Sequence, residues 1–129
     1  MASNEQIITN LETELQTLAE TIETAQLNLS DTITAIEEAN DEIETRKATM
    51  MSSIFNERFE INLKLVYTND EQRKVRLIEL QNADLVFQNF VSVRTTLAAT
   101  SATQKADIEK NRNLHRAKLQ VLVYYANLP

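Results

Sequence analysis

His115 is the only histidine in the chain, and imidazole is the side chain whose charge changes nearest neutral pH. A catalytic triad needs it beside a nucleophile and an orienting acid. Its neighbours are Leu114 and Arg116, and the nearest acids, Asp107 and Glu109, lie about two helical turns away. Helical metal sites use Glu-x-x-His or His-Glu-x-x-His spacing, and neither pattern occurs. His115 therefore reads as a solvated or seam-edge residue. Glu37, Glu38, Asp41 and Glu42 crowd four carboxylates into one short stretch. That density could hold a divalent cation weakly, but a solvated acidic face is the simpler reading. Arg73, Lys74 and Arg76 are the densest basic cluster and the natural candidates for contact with nucleic acid. Tyr124-Tyr125 could stack on a partner or a base, or close the end of a helical hairpin. No catalytic, cofactor-binding or metal residue is assigned, and the chain is expected not to be an enzyme.

Composition narrows the elements that could carry these groups. The 129 residues include no Gly, no Cys and no Trp, and one Pro at the last position. Without glycine, phosphate-cradling loops, nucleophile elbows and Asn-Gly hairpins are disfavoured. Without cysteine there is no disulfide, thiolate metal site or thiol nucleophile. Much of the remainder consists of good helix formers. The first residues lack the basic and apolar regions of a signal peptide, and the longest apolar run, Val121 to Ala126, is far short of a membrane span. The expected location is the cytoplasm, with no membrane contact. Asn28-Leu29-Ser30 fits a glycosylation sequon and is read as chance.

The periodicity predicts an all-α fold. Ile8, Leu15, Ile22, Leu29, Ile36, Ile43 and Met50 recur every seven residues. Leu11, Leu18, Ala25, Thr32, Ala39 and Arg46 occupy the second heptad position. This is the pattern of a coiled-coil seam. A helix from about 4 to 54 or beyond follows, capped by Ser3 or Asn4, with roughly 70 Å between residues 4 and 50. The seam residues Ile8, Leu11, Leu15, Leu18, Ile22, Leu29, Ile36, Ile43 and Met50 are the candidate contacts for an oligomer or a partner. Residues 55–67 fit a strand by their alternation. Phe55, Phe59, Leu63 and Val66 also fall on one helical stripe, and helix is the preferred reading. Thr68 to Glu71 fits a capping box opening a short helix over about 70–81. Asn82 or Asp84 would then cap a last helix over about 85–126. Its apolar stripes are Val86, Phe90, Val93 and Leu97 at one end, and Leu114, Val121 and Tyr125, with Leu119 and Leu122 beside them, at the other.

Charge is segregated along the chain. Residues 1–45 hold eleven acids and no base, whereas 46–129 hold eight acids and thirteen bases. Folding back antiparallel would lay Lys105, Lys110, Arg112, Arg116 and Lys118 along the acidic first helix. Leu29 would then meet Ala98 to Ala102, with Ile8 and Leu11 near Leu119 and Leu122. The predicted architecture is an elongated antiparallel coiled-coil hairpin in one domain, with a short capping helix and an oligomeric state.

Tyr67-Thr68-Asn69-Asp70-Glu71-Gln72-Arg73-Lys74, followed by Leu77, Leu80 and a long charged helix, resembles a group of small helical proteins encoded by phages and prophages. Many of these have no assigned activity and sit near recombination or defence genes. The match covers residues 67 to about 126 and carries no catalytic motif; the strictly heptad first helix departs from it. The resemblance implies a phage-type accessory protein, virion-associated if phage-encoded, and transfers no site residue. Three roles follow from the residues. The first is a structural or adaptor coiled coil that binds itself and another protein. The second is an inhibitor whose acidic helix imitates a phosphate backbone. The third is a nucleic-acid accessory factor using the basic second half.

Overall fold

A computed structural model describes residues 3–129. It contains three α-helices: α1 (Asn4–Asn56), α2 (Asp70–Ala83) and α3 (Leu85–Ala126). Among the described residues there is no strand beyond one isolated antiparallel bridge, Arg58 to Leu65. α1 and α3 pack against each other as a helical hairpin. The chain forms two compact units, one from the stretches up to Ile33 and from Ala99, the other from Thr34–Ala98.

Ser3 opens α1 with a reciprocal cap. The Gln6 N–H donates to Ser3 Oγ at 3.2 Å, and the Ser3 N–H donates to Gln6 Oε1 at 3.0 Å. These bonds satisfy donors that the first helical turn leaves unpaired. Threonine is a poor helix former, yet Thr13, Thr21, Thr32 and Thr49 sit inside α1. Each hydroxyl donates to the carbonyl four residues earlier, so even buried Thr32 keeps a partner. Every heptad position predicted for the seam loses solvent. Leu15, Thr32, Ala39, Ile43 and Met50 are buried; Ile8, Leu11, Leu18, Ile22, Ala25, Leu29, Ile36 and Arg46 are half-buried.

In the unit Thr34–Ala98, Ile43, Met50 and Phe87 form the core, with Leu77, Leu80, Phe90 and Val91 packed against it. All three helices converge here on Asp84. Its backbone N–H donates to the Leu80 carbonyl at 3.0 Å and closes α2. Its Oδ1 accepts the Phe87 N–H at 3.0 Å and opens α3. Its Oδ2 accepts from Arg46 Nη1 of α1 at 3.1 Å. The Arg46 guanidinium also lies 6.0 Å from the centre of the Phe90 ring. The bond from the Phe87 N–H, the largest effect, holds the Asp84 carboxyl below its ordinary value against desolvation, with the charge and hydrogen bond of Arg46 adding to the lowering.

Residues 57–69 correct the preferred helical reading of 55–67. α1 stops at Asn56, and the chain doubles back on itself as a narrow ribbon. The Phe59 N–H donates to the Lys64 carbonyl at 2.9 Å, and the Val66 N–H donates to the Glu57 carbonyl at 3.0 Å. The pairing partner of each side of this alternating segment is the other side. The reversal requires Leu63 to adopt φ 58, left-handed backbone that a bulky side chain resists. The Leu63 carbonyl is held by Arg58 Nη1 at 3.1 Å, and the Lys64 N–H bonds Asn62 Oδ1 at 3.0 Å.

In the other unit, the inward face of α3 differs from the predicted stripes. Ser101 and Ile108 are buried, and Gln104, Asn111, His115, Lys118, Leu122 and Tyr125 are half-buried. Leu114 and Val121 instead stand outside, each 44% exposed. In the Thr34–Ala98 unit, Val86 and Val93 are likewise exposed, although Phe90 and Leu97 turn inward. The inward register repeats every seven residues but alternates apolar with polar side chains, so an apolar stripe cannot reveal it. Lys118 Nζ donates to Glu14 Oε2 at 2.7 Å, a contact between the two helices 104 residues apart in sequence. Of the five bases expected along the acidic helix, only Lys118 forms an ion pair with α1 among the described residues. Lys105, Lys110, Arg112 and Arg116 are exposed.

Two stability measurements test this packing. Ile43 is 1% exposed, so Ile43→Ala should destabilise by about 2–5 kcal/mol in urea unfolding followed by circular dichroism. Asp84→Ala should lower the melting temperature at pH 7. A carboxyl held below its ordinary value stabilises the fold above its unfolded pKa and loses that contribution as pH falls through its folded one. The melting difference between Asp84→Ala and wild type should therefore shrink on acidification below 3.8, the ordinary aspartate value.

Candidate functional site

The acidic stretch of α1 acquires a specific setting within the Thr34–Ala98 unit. Ala35, Glu38, Ala39, Asp41 and Glu42 line one wall of an open groove, and Phe90, Val93 and Leu97 of α3 line the other. The spacing is helical on both walls: 35, 38 and 42 on α1, and 90, 93 and 97 on α3, each i, i+3 and i+7. Ala35 and Ala39 leave room because their side chains end at Cβ. The result is an apolar floor beneath a rim of carboxylates. Glu37 lies beside it in sequence and is exposed. None of Glu37, Glu38, Asp41 and Glu42 belongs to an ion pair among the described residues. The structure thus joins the acidic residues to an apolar cleft that an acidic run alone does not reveal. Phe90, Val93 and Leu97 were legible as an apolar stripe of α3, but nothing in the sequence joined that stripe to the carboxylates.

The basic cluster is largely engaged. Asn69, not Thr68, caps α2: its Oδ1 accepts the Gln72 N–H at 2.8 Å. Gln72 Oε1 reaches back to the Thr68 N–H at 3.0 Å, so the capping box sits one residue later than the sequence suggested. Arg73 is then carried over the Phe55 ring, 4.4 Å from its centre, with Nη1 bonded to Asp70 at 3.2 Å. Arg76 Nη1 bonds Glu79 at 3.1 Å. That bond and nearby Tyr67 raise the Arg76 pKa further above its already high value. The remaining base of the cluster, Lys74, is exposed and in no ion pair.

His115 is half-buried and shares a shallow depression with Arg112, Arg116 and Leu119 above Ala19 and Ile22. No carboxylate lines it, so nothing there could orient an imidazole as a base. Among the described residues, no group of three or more His, Cys, Asp or Glu is gathered for a metal ion. Tyr124 and Tyr125 meet edge to face, with centroids 5.4 Å apart; Tyr125 turns inward and Tyr124 stays exposed. Among the described residues, no helix is long and apolar enough to cross a membrane.

Apolar side chains also stand outside the packed faces. Ile61 at the tip of the 57–66 ribbon is 98% exposed, flanked by Phe59 and Leu63, both exposed. Val75 and Ile78 are exposed on α2, and Leu119, Val123 and Tyr124 on α3. Compared with protein-family models, curated proteins and solved structures, the chain matches none.

The Arg73–Phe55 contact joins the end of α1 to the start of α2 and can be measured alone. A double-mutant cycle with Phe55→Ala and Arg73→Ala should return a coupling of about 0.5–1 kcal/mol in unfolding free energy. A coupling near zero would show that Arg73 serves only Asp70.

Proposed function

We propose that this protein is a non-catalytic, helical protein-interaction module, structural or adaptor in role, that associates with itself and with another protein. The observation that carries the reading is where apolar surface remains. The heptad face of α1 is already turned inward within the chain, yet Ile61, Leu63, Leu85, Leu27 and Tyr124 are all more than 60% exposed. Ile61 and Leu63 stand beside exposed Phe59 on the ribbon, and it is neighbouring exposed apolar side chains of this kind, not single scattered ones, that mark partner contact. The self-association expected from the heptads would then use outward faces, since Ile22 and Ile36 are half-buried inside the fold. The resemblance of residues 67–126 to small phage and prophage proteins fits an accessory role of this type.

A second reading has its own support. Of the eleven acids in residues 1–45, only Glu14 and Glu44 form ion pairs among the described residues. A helix with so many uncompensated carboxylates could occupy a basic nucleic-acid-binding channel by electrostatic steering. The nucleic-acid accessory reading is weaker, because carboxylates already engage Arg73 and Arg76.

Light scattering behind a sizing column separates the first two readings. Self-association predicts a mass that is a multiple of 14.7 kDa and falls on dilution. A monomer at every concentration would overturn it and put the acidic mimic first.

A further inference from the structure

We infer that the acidic-rimmed groove of the Thr34–Ala98 unit seats α3 from a second copy of the chain, through the flank that carries Lys105, Arg112, Arg116, Leu119 and Val123. The inference rests on the self-association reading and names the surfaces that association uses.

The groove has the form of a helix seat. Both walls are helices, and both present residues at i, i+3 and i+7. A third helix lies naturally between two that already pack, with its own ridge of side chains in the cleft. Ala35 and Ala39 allow its close approach, while Phe90, Val93 and Leu97 offer apolar area, Val93 being 39% exposed.

The rim selects the charge of the occupant. Glu38, Asp41 and Glu42 stand three, four and one residues apart on one helix, with no base paired to any of them among the described residues. Like charges at these spacings repel, and a basic neighbour relieves them. The nearest guanidiniums in this unit are committed elsewhere: Arg94 donates to Asn40 at 3.1 Å and Arg46 to Asp84. The occupant must therefore be a helix that carries Lys or Arg together with apolar side chains on one exposed strip.

The chain supplies such a helix. Positions 105, 112, 116, 119 and 123 of α3 share one strip of its surface, at offsets of 7, 11, 14 and 18 residues from the first. All five side chains are exposed. Lys105 and Arg112 form no ion pair among the described residues, and Arg116 bonds only Asn113 of its own helix. Bases lie toward one end of the strip, with Leu119 and Val123 beyond them. The ribbon tip, another exposed apolar feature of the groove's own unit, fits the rim less well. Its bases Arg58 and Lys64 are balanced by Glu57 and Glu60.

Charge reversal tests the pairing. One variant carries Glu38→Lys, Asp41→Lys and Glu42→Lys; the other carries Lys105→Glu, Arg112→Glu and Arg116→Glu. All six positions are exposed, so both variants should keep wild-type helicity by circular dichroism. Each alone should run as a 14.7 kDa monomer in light scattering, and an equal mixture should recover at least about twice that mass. If a triple reversal lowers helicity, Glu38→Gln/Glu42→Gln and Arg112→Gln/Arg116→Gln give the same comparison with a smaller loss of association. Wild-type mass in either reversed variant alone, or a mixture that stays monomeric, would overturn this seat while leaving self-association intact. A wild-type chain that is itself monomeric would overturn both.

Discussion

The end of α2, the start of α3 and the flank of α1 meet in the hydrogen bonds of one residue, Asp84, and the arrangement of the Thr34–Ala98 unit depends on them. The usual device for ending a helix is a glycine in left-handed backbone. This chain has no glycine, and Asp84 ends α2 in extended conformation, at φ −88 and ψ 100. The turn between α2 and α3 is one residue long, which leaves little freedom in the direction of α3. Both carboxylate oxygens are used, one on the first turn of α3 and one on Arg46. Arg46 occupies a heptad position where an apolar residue would be ordinary. Its place there is explained by the acid it meets and by the Phe90 ring beneath its guanidinium.

The seam of α1 was legible because its first heptad position is Ile, Leu or Met throughout. α3 was legible as a helix but not in its facing. Ser101, Gln104, Asn111, His115 and Lys118 all lie on the inward side, so the apolar signal that normally marks a core face is diluted there. Leu114 and Val121 offered a clearer apolar repeat and pointed to the wrong face. Gln104 Oε1 is buried without a partner, a local conflict of the kind that pattern reading cannot anticipate. The ribbon after Asn56 was hidden for another reason. Its turn needs left-handed backbone, and with no glycine or asparagine at position 63 the sequence gives no sign that Leu63 will adopt it.

The segregation of charge suggested a direction of folding, but ion pairs do little to impose it. Among the described residues a single pair joins the acidic helix to the bases of α3's second half, and exposed pairs of this kind contribute roughly 0–1 kcal/mol. Direction follows from connectivity at the α2–α3 turn and from burial along α1. The acidic groove was half visible: the carboxylates could be read from α1 alone, but their apolar floor comes from α3 and exists only once the two helices pack.

The spacing of the cross-helix bonds has a consequence for the order in which the chain can assemble. Arg46 and Asp84 are 38 residues apart in sequence, Asn40 and Arg94 are 54 apart, and Glu14 and Lys118 are 104 apart. Closing the longest of these loops first would forfeit the most chain entropy for one contact, whereas a closure made after the one inside it has only the chain between the two contacts left to order. Contacts near the turn are local, and those near the termini become local only after the inner ones exist. The helix pair is therefore built to close outward from the Asp84 junction, and the polar facing residues Gln104, Asn111, His115 and Lys118 make the stretch of α3 between Ile108 and Leu122 the slowest to be held shut.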